Sequence, residues 1–275
     1  MASLGFNPEI KAYYDNAPEE TRLQVGAARL EEARTRELIL RHAPSPPSVV
    51  IDVGGGAGPY AFWLAEQGYE VRLIDAVPRL IDVARERNAR TTHRLMSCTV
   101  ADARLLPDTN DCADLVLLLG PLYHLVEPKD RQAALAEAHR VLRDDGVLVV
   151  AGISRWASAL DGLSRELLGD PQFTGIVQRD VIDGQHQNPT DRIDYFTTAY
   201  FHRPEDLRAE VMEAGFDVAG FYGVEGPGWI LPDFVDRWNE PQRRETVLQV
   251  ARLLESEPSV IGCSAHLIVV GRKKA

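Results

Sequence analysis

The stretch that decides the fold is VVIDVGGGAGPYAFWLAEQGYEVRLIDAVP, Val49 to Pro78. A β-branched apolar run leads into three consecutive glycines, Gly54 to Gly56, with Gly58 close behind. The run reads as a buried strand. The glycines read as a tight turn that lets the backbone approach a ligand closely. Residues 58–67 then read as a helix, with Pro59 suited to its first turn, and EVRLID (70–75) as a second strand. A glycine turn between strand and helix aims helix N–H groups at whatever lies there, so a nucleotide-type ligand is expected.

Outward from this stretch the pattern alternates. Residues 27–42 read as a helix carrying Glu32–Arg36 and Glu37–Arg41 pairs, stopped by APSPP (43–47). A helix is expected over 78–89, a third strand over 94–102, and a central strand in the most apolar run, ADLVLLLG (113–120). A helix over 129–146 with Gly146 as its left-handed cap precedes a fifth strand, 147–153. Strand–helix alternation of this kind gives an α/β, doubly wound parallel sheet. After Ile153 the rhythm breaks. Residues 154–192 read as helix and loop, and RIDYFTTAYFH (192–202) alternates weakly. A helix (203–216), a strand (217–224), a turn-rich loop EGPGWILPDF, a helix (241–255) and a last buried strand (264–272) complete the chain. No linker splits it, so a single domain over 1–275 is expected, with residues 1–45 as an N-terminal helical cap.

Bulk composition narrows the classes. The 275 residues are 45% hydrophobic and 26% charged, ordinary for a globular protein. The net charge of -11 opposes nucleic-acid and anionic-membrane binding, both of which need cations. Cys98, Cys112 and Cys263 are odd in number and widely spaced, which fits small buried side chains better than a disulfide framework or zinc site. No 18-residue apolar run occurs, and the N-terminus lacks the basic flank and apolar core of a signal peptide, so a cytoplasmic location is expected. No metal constellation and no Ser-His-Asp arrangement is evident.

The nucleotide itself can be narrowed. A triphosphate loop needs GxxxxGK[ST], and no such lysine follows these glycines. A redox dinucleotide fingerprint is G-x-G-x-x-G, whereas here Gly54, Gly56 and Gly58 give G-x-G-x-G. Asp52, two residues before Gly54, would repel a pyrophosphate but suits an amine. Asp75, 21 residues beyond Gly54, is placed to accept from ribose hydroxyls, and Asp102, 27 residues further, to meet an exocyclic adenine amine. An amine, a ribose diol and an adenine together describe S-adenosylmethionine.

Several motifs carry a family resemblance: VIDVGGGAG, LID (73–75), ADA (101–103), DLVLLLGPLYHL (114–125), and HRVLRDDGVLVV (139–150), where Asp144-Asp145-Gly146 stands in place of P-G-G. With these the chain resembles the class I S-adenosylmethionine-dependent methyltransferases, in the group of small-molecule enzymes related to those of ubiquinone and menaquinone biosynthesis. The resemblance implies a Rossmann-like seven-stranded sheet with an antiparallel last strand. It also implies a lid insertion after strand 5 (154–202) facing the methyl acceptor. Gly54 and Gly56 would approach the methionine part, with Asp52 near its amine. Asp75 would hold the ribose, Asp102 and Ala103 the adenine, and Leu119 and Gly120 would lie beneath the reacting methyl. Tyr14, with Tyr13, would cover the cofactor.

The expected activity is in-line transfer of a methyl group to O, N or C of a small-molecule metabolite, leaving S-adenosylhomocysteine. The alternatives are a methyltransferase acting on protein or nucleic acid, and a binding protein that keeps the cofactor fold. Neither nucleic acid nor membrane is an expected partner, and a monomer or homodimer is expected. Tyr123 and His124 lie just past the fourth strand, at the sheet edge where ligands of open α/β folds bind. They are the candidates for orienting the acceptor or taking its proton. His202 is a further base candidate, and Trp229 and Phe234 are candidates for lining the acceptor pocket.

Overall fold

The computed structural model describes residues 7–274; residues 1–6 of the expected cap, and Ala275, lie outside the described residues. The chain opens with α1 (Pro8–Asn16), capped by the Asn7 side chain, a 3-10 turn (Glu19–Gln24) and α2 (Ala28–His42). Then follow β1 (Val49–Val53), α3 (Pro59–Glu66), β2 (Glu70–Asp75), α4 (Pro78–Arg90), β3 (Ser97–Val100), β4 (Ala113–Leu118), α5 (Pro128–Val141) and β5 (Leu142–Ser154). The C-terminal part holds α6 (Ala157–Ser164), α7 (Pro171–Asp183), β6 (Gln185–His186), β7 (Ala199–His202), α8 (Pro204–Glu213), β8 (Phe216–Gly223), α9 (Phe234–Asn239), α10 (Pro241–Leu254) and β9 (His266–Lys273).

The main sheet runs β3-β2-β1-β4-β5-β9-β8. The first five strands pair in parallel, and β9 is antiparallel to both β5 and β8. The seven-stranded sheet with a reversed last strand is therefore present. β5 runs on past the end of β4: Ile153 still pairs with His266 of β9, and Ile153 and Ser154 also pair in parallel with Phe201 and His202 of β7, which in turn pairs with β6. Two short strands thus extend the sheet in the region read from sequence as weakly alternating.

One apolar layer on each face holds the sheet. Val50, Val71, Leu73, Leu115 and Leu117 pack with Leu64 of α3 and Leu38 and Ile39 of α2. Ile51, Ile74, Val116 and Leu148 pack with Leu135 and Ala138 of α5 and Leu207 of α8. Side chains alternate between the two layers along each strand, so near-continuous apolar runs are required. Each fully buried Leu or Ile contributes about 1.5–3 kcal/mol.

One boundary departs from the sequence reading. Helix α5 ends at Val141, and Gly146 is not its cap. Leu142 already pairs with Ala113, residues 143–146 bulge, and pairing resumes at Leu115–Val147. Asp145 takes the left-handed conformation, φ 62°. Glycine is required at 146 for a different reason: a Cβ there would stand 2.7 Å from the Arg143 carbonyl oxygen. Within the expected N-terminal cap, residues 8–16 form a helix of their own ahead of α2.

Candidate active site

The glycine turn is built by close approaches. Gly54, Gly56 and Gly58 have φ of 69°, 58° and 83°, conformations that cost a non-glycine residue on the order of 1–3 kcal/mol. Gly54 N donates to Ile74 O at 2.7 Å, tying the turn to the end of β2. A Cβ on Gly54 would stand 2.3 Å from Pro121 Cγ, and one on Gly120 would stand 2.9 Å from Gly54 O. The ends of β1 and β4 therefore meet backbone to backbone.

Around this turn lies a cavity of about 320 Å³. It brings together Asp52, Gly54, Gly56, Asp75, Asp102, Ala103, Leu119, Gly120 and Tyr14 of the cofactor candidates read from the sequence, while Tyr13 does not line it. Tyr123 and His124 line it as well. Its ceiling comes from Ile10 and Tyr14 of α1 and from the turn at 19–24.

The two acidic groups beside the turn differ in kind. Asp75 Oδ2 accepts from Gly56 N and Oδ1 from Val77 N, both at 2.8 Å. It thereby shapes the turn and starts α4 while facing the cavity. Burial raises its pKa against those two bonds. Asp52 is 1% exposed, and neither carboxylate oxygen has a hydrogen-bond partner among the described residues. Burial, reinforced by the Asp75 carboxylate and only partly offset by the Ala61 N–H at the start of α3, pushes it up to about 7. A buried carboxylate without a donor is costly. It is the group in the cavity that most needs a cationic or N–H partner.

Asp102 is not free in this way. Arg104 donates to both of its oxygens, at 2.7 and 2.9 Å, and also reaches Asp130 at 2.9 Å. Burial opposes the Asp102 charge, but Arg104 outweighs it and lowers its pKa. An ionised carboxylate has about four lone-pair sites, so capacity to accept a further N–H remains.

Opposite the glycines, Tyr14 Oη lies 2.7 Å from His124 Nε2, and His124 Nδ1 lies 3.1 Å from Thr198 O. Burial pushes His124 down to about 4. Tyr13 packs edge-on against Tyr14, ring centroids 5.3 Å apart, and against Phe196 at 5.5 Å.

Three candidates lie elsewhere. His202 is fully buried outside the cavity, with Nε2 3.3 Å from Glu210 Oε2. The Trp229 indole N–H donates to Cys263 O at 2.8 Å, and Phe234 stacks on Trp238 beside Leu30. They anchor α9 and α10 to α2, because the turn-rich loop folds back on that helix rather than toward the sheet edge.

The structure adds groups that the sequence reading passed over. Glu19, Glu20 and Arg22 line the cavity from EETRLQ (19–24), part of a mixed polar stretch, and Glu32 lines it from α2. Arg22 donates to both Glu31 oxygens, at 2.7 and 2.9 Å. Glu31, Glu225 and His266 converge within 4.8 Å, a grouping spread over the chain that no local spacing announces. Burial works against the Glu31 carboxylate, but Arg22 and His266 hold it at about 2. His266 Nδ1 lies 2.6 Å from Glu225 Oε1, and its pKa is raised: burial lowers it, and Glu31 and Glu225 together outweigh that. Two carboxylates and two cations here form an ion-pair box.

Comparison with known proteins now bears on this geometry. Residues 50–146 match the family model described as "Methyltransferase domain". Over those residues the chain is similar to a methyltransferase domain. A glycine/sarcosine N-methyltransferase from Parasynechococcus marenigrum is 37% identical over 103 residues, 37% of this chain and 36% of that one. Methyltransferase GfsG from Streptomyces halstedii is 30% identical over 166 residues, 54% of this chain and 59% of that one. The chain therefore matches roughly a third to three fifths of the length of these curated relatives. A solved S-adenosylmethionine-dependent methyltransferase from Mesorhizobium loti shares the fold at 16% identity, with a TM-score of 0.58 over 89% of this chain and all of that one. The methyltransferase fold extends beyond residues 50–146 to the C-terminal strands. Among the described residues no helix is long and apolar enough to cross a membrane.

Proposed function

We propose that this chain is a methyltransferase that moves the methyl group of S-adenosylmethionine to a small-molecule acceptor. The observation that carries this reading is Asp52: a buried carboxylate with no donor, set beside a glycine turn that a Cβ would fill. The residues present fit the cofactor. Asp52 would take its ammonium group, Gly54 and Gly56 its methionine backbone, Asp75 its ribose hydroxyls, and Asp102 with Ala103 its adenine edge. When bound, it supplies a sulfonium-activated methyl group that needs no covalent help from the protein.

The chain's own contribution is alignment and exclusion of water. Gly120 and Leu119 floor the site at the end of β4. Helix α1 roofs it, tied down by Arg79 to Tyr14 O at 2.7 Å and by Thr198 Oγ1 to Glu9 Oε2 at 2.6 Å. The described part of the N-terminal segment, residues 7–45, acts as a cap in this reading, and residues 154–202 as the lid that selects the acceptor. A roofed cavity suits a compact acceptor better than a polymer. The glycine/sarcosine N-methyltransferase among its relatives, named for small-molecule acceptors, points the same way.

Isothermal titration with S-adenosylmethionine and S-adenosylhomocysteine tests the cofactor, and absence of binding to either overturns the reading. Labelled-methyl turnover over a metabolite panel then separates an enzyme from a binding protein.

A further inference from the structure

The hydrogens around His124 can be placed by chemistry alone. Thr198 O, facing Nδ1 at 3.1 Å, is a carbonyl and only accepts. Nδ1 therefore carries the imidazole hydrogen. A neutral imidazole has one N–H, and burial keeps this ring neutral. Nε2 is then a bare acceptor, and Tyr14 Oη, 2.7 Å away, must donate its single proton to it. The phenol oxygen is left with lone pairs only. It makes no other hydrogen bond among the described residues, and Tyr14 lines the cavity.

The surroundings hold this arrangement in place. The Thr198 hydroxyl donates to Glu9, on the same helix as Tyr14. Phe196 is held at φ 67°, unfavourable for a side-chain-bearing residue, with its ring 5.8 Å from that of His124.

We propose that Tyr14 Oη receives an N–H or O–H of the methyl acceptor, so that this chain selects nitrogen or oxygen acceptors bearing a hydrogen over carbon acceptors. The inference rests on the methyl-transfer reading above and deepens it. Tyr14 touches the acceptor; His124 is a positioning residue that turns the phenol from donor to acceptor. A histidine so reluctant to charge orients a hydroxyl better than it takes a proton.

The test has two arms. Histidine-15N-labelled protein, free of ligand, should show His124 as the Nδ1–H tautomer from pH 8 to pH 5, its signal assigned by its loss in His124→Gln. An Nε2–H tautomer, or protonation within that range, overturns the inference. In the second arm, Tyr14→Phe should bind S-adenosylhomocysteine within twofold of wild type. Its labelled-methyl transfer to a panel of primary amines and alcohols should fall at least tenfold. Unchanged turnover overturns the proposal, and so does a loss of S-adenosylhomocysteine affinity as large as the loss of turnover. Wild-type protein that binds S-adenosylhomocysteine but methylates only carbon acceptors overturns it while leaving the methyl-transfer reading intact. Wild-type protein that binds neither donor nor product removes both.

Discussion

Asp52 lies directly beneath Gly55: a Cβ added to Gly55 would stand 2.4 Å from Asp52 Oδ2 and 2.6 Å from Leu73 Cδ1. Both neighbours are buried, so neither can step aside at low cost. Gly55→Ala should destabilise the protein by about 1–3 kcal/mol through overpacking. Thermal unfolding should register this as a drop of a few degrees, with weaker S-adenosylhomocysteine binding alongside. A variant melting within a degree of wild type would contradict the close approach.

Asp52 itself should trade stability for binding. Its folded pKa, about 7, lies above the ordinary carboxylate value. Between about pH 4 and pH 7 the native state therefore holds a proton that the unfolded chain has lost, and stability falls as pH rises across that window. Asp52→Asn removes this slope. The variant should gain on wild type from pH 5 to pH 8, by about 2–3 kcal/mol, while binding S-adenosylmethionine at least tenfold more weakly. Parallel melts at the two pH values check the first effect and titration the second. A stability difference that does not grow with pH would sink the assignment.

The division of labour between Asp52 and Asp75 shows what the sequence could reveal. Strand–turn–helix periodicity and the spacing of Asp52, Asp75 and Asp102 made the sheet and one wall of the cavity legible, because these features are local or repeat along the chain. The roof was legible only in part: the family resemblance pointed to an N-terminal cap and to Tyr14, whereas Glu19 to Gln24 come to the cavity only because α1 and α2 fold over the sheet edge, and nothing in a charged run announces which face it will cover. His202, Trp229 and Phe234 lie outside the cavity for the converse reason. Their residue types suit a site, but long-range packing holds His202 against Glu210 of α8 and Phe234 against Trp238 and Leu30. The end of α5 was misread because Gly146 serves a close contact rather than a helix cap.

Asp75 has two duties that substitution should separate. Asp75→Asn keeps an oxygen able to accept from a backbone N–H, whereas Asp75→Ala strips partners from both Gly56 and Val77. Loss of the ribose contact should weaken S-adenosylhomocysteine binding by about 1–3 kcal/mol in Ala, with a smaller loss in Asn. Ala should also melt lower than Asn. Equal affinities for wild type and Ala would remove Asp75 from the cofactor site.

The ion-pair box gives a pH signature on the other side of neutrality. His266 has a raised folded pKa and faces Glu31, Glu225 and, behind Glu31, Arg22. Its charge contributes stability fully below the unfolded histidine value, about 6.5, and that contribution is lost as pH rises through the higher folded value. His266→Gln leaves Glu31 and Glu225 with Arg22 as their remaining cation in the box, and breaking a buried pair in this way costs about 3–5 kcal/mol. The deficit should be largest near pH 6 and shrink as pH climbs, because wild type then loses the same charge. Urea unfolding of both proteins from pH 6 to pH 9 measures it. A deficit that stays constant or widens with pH would show that His266 is neutral in the folded protein and that Arg22 alone balances the two carboxylates.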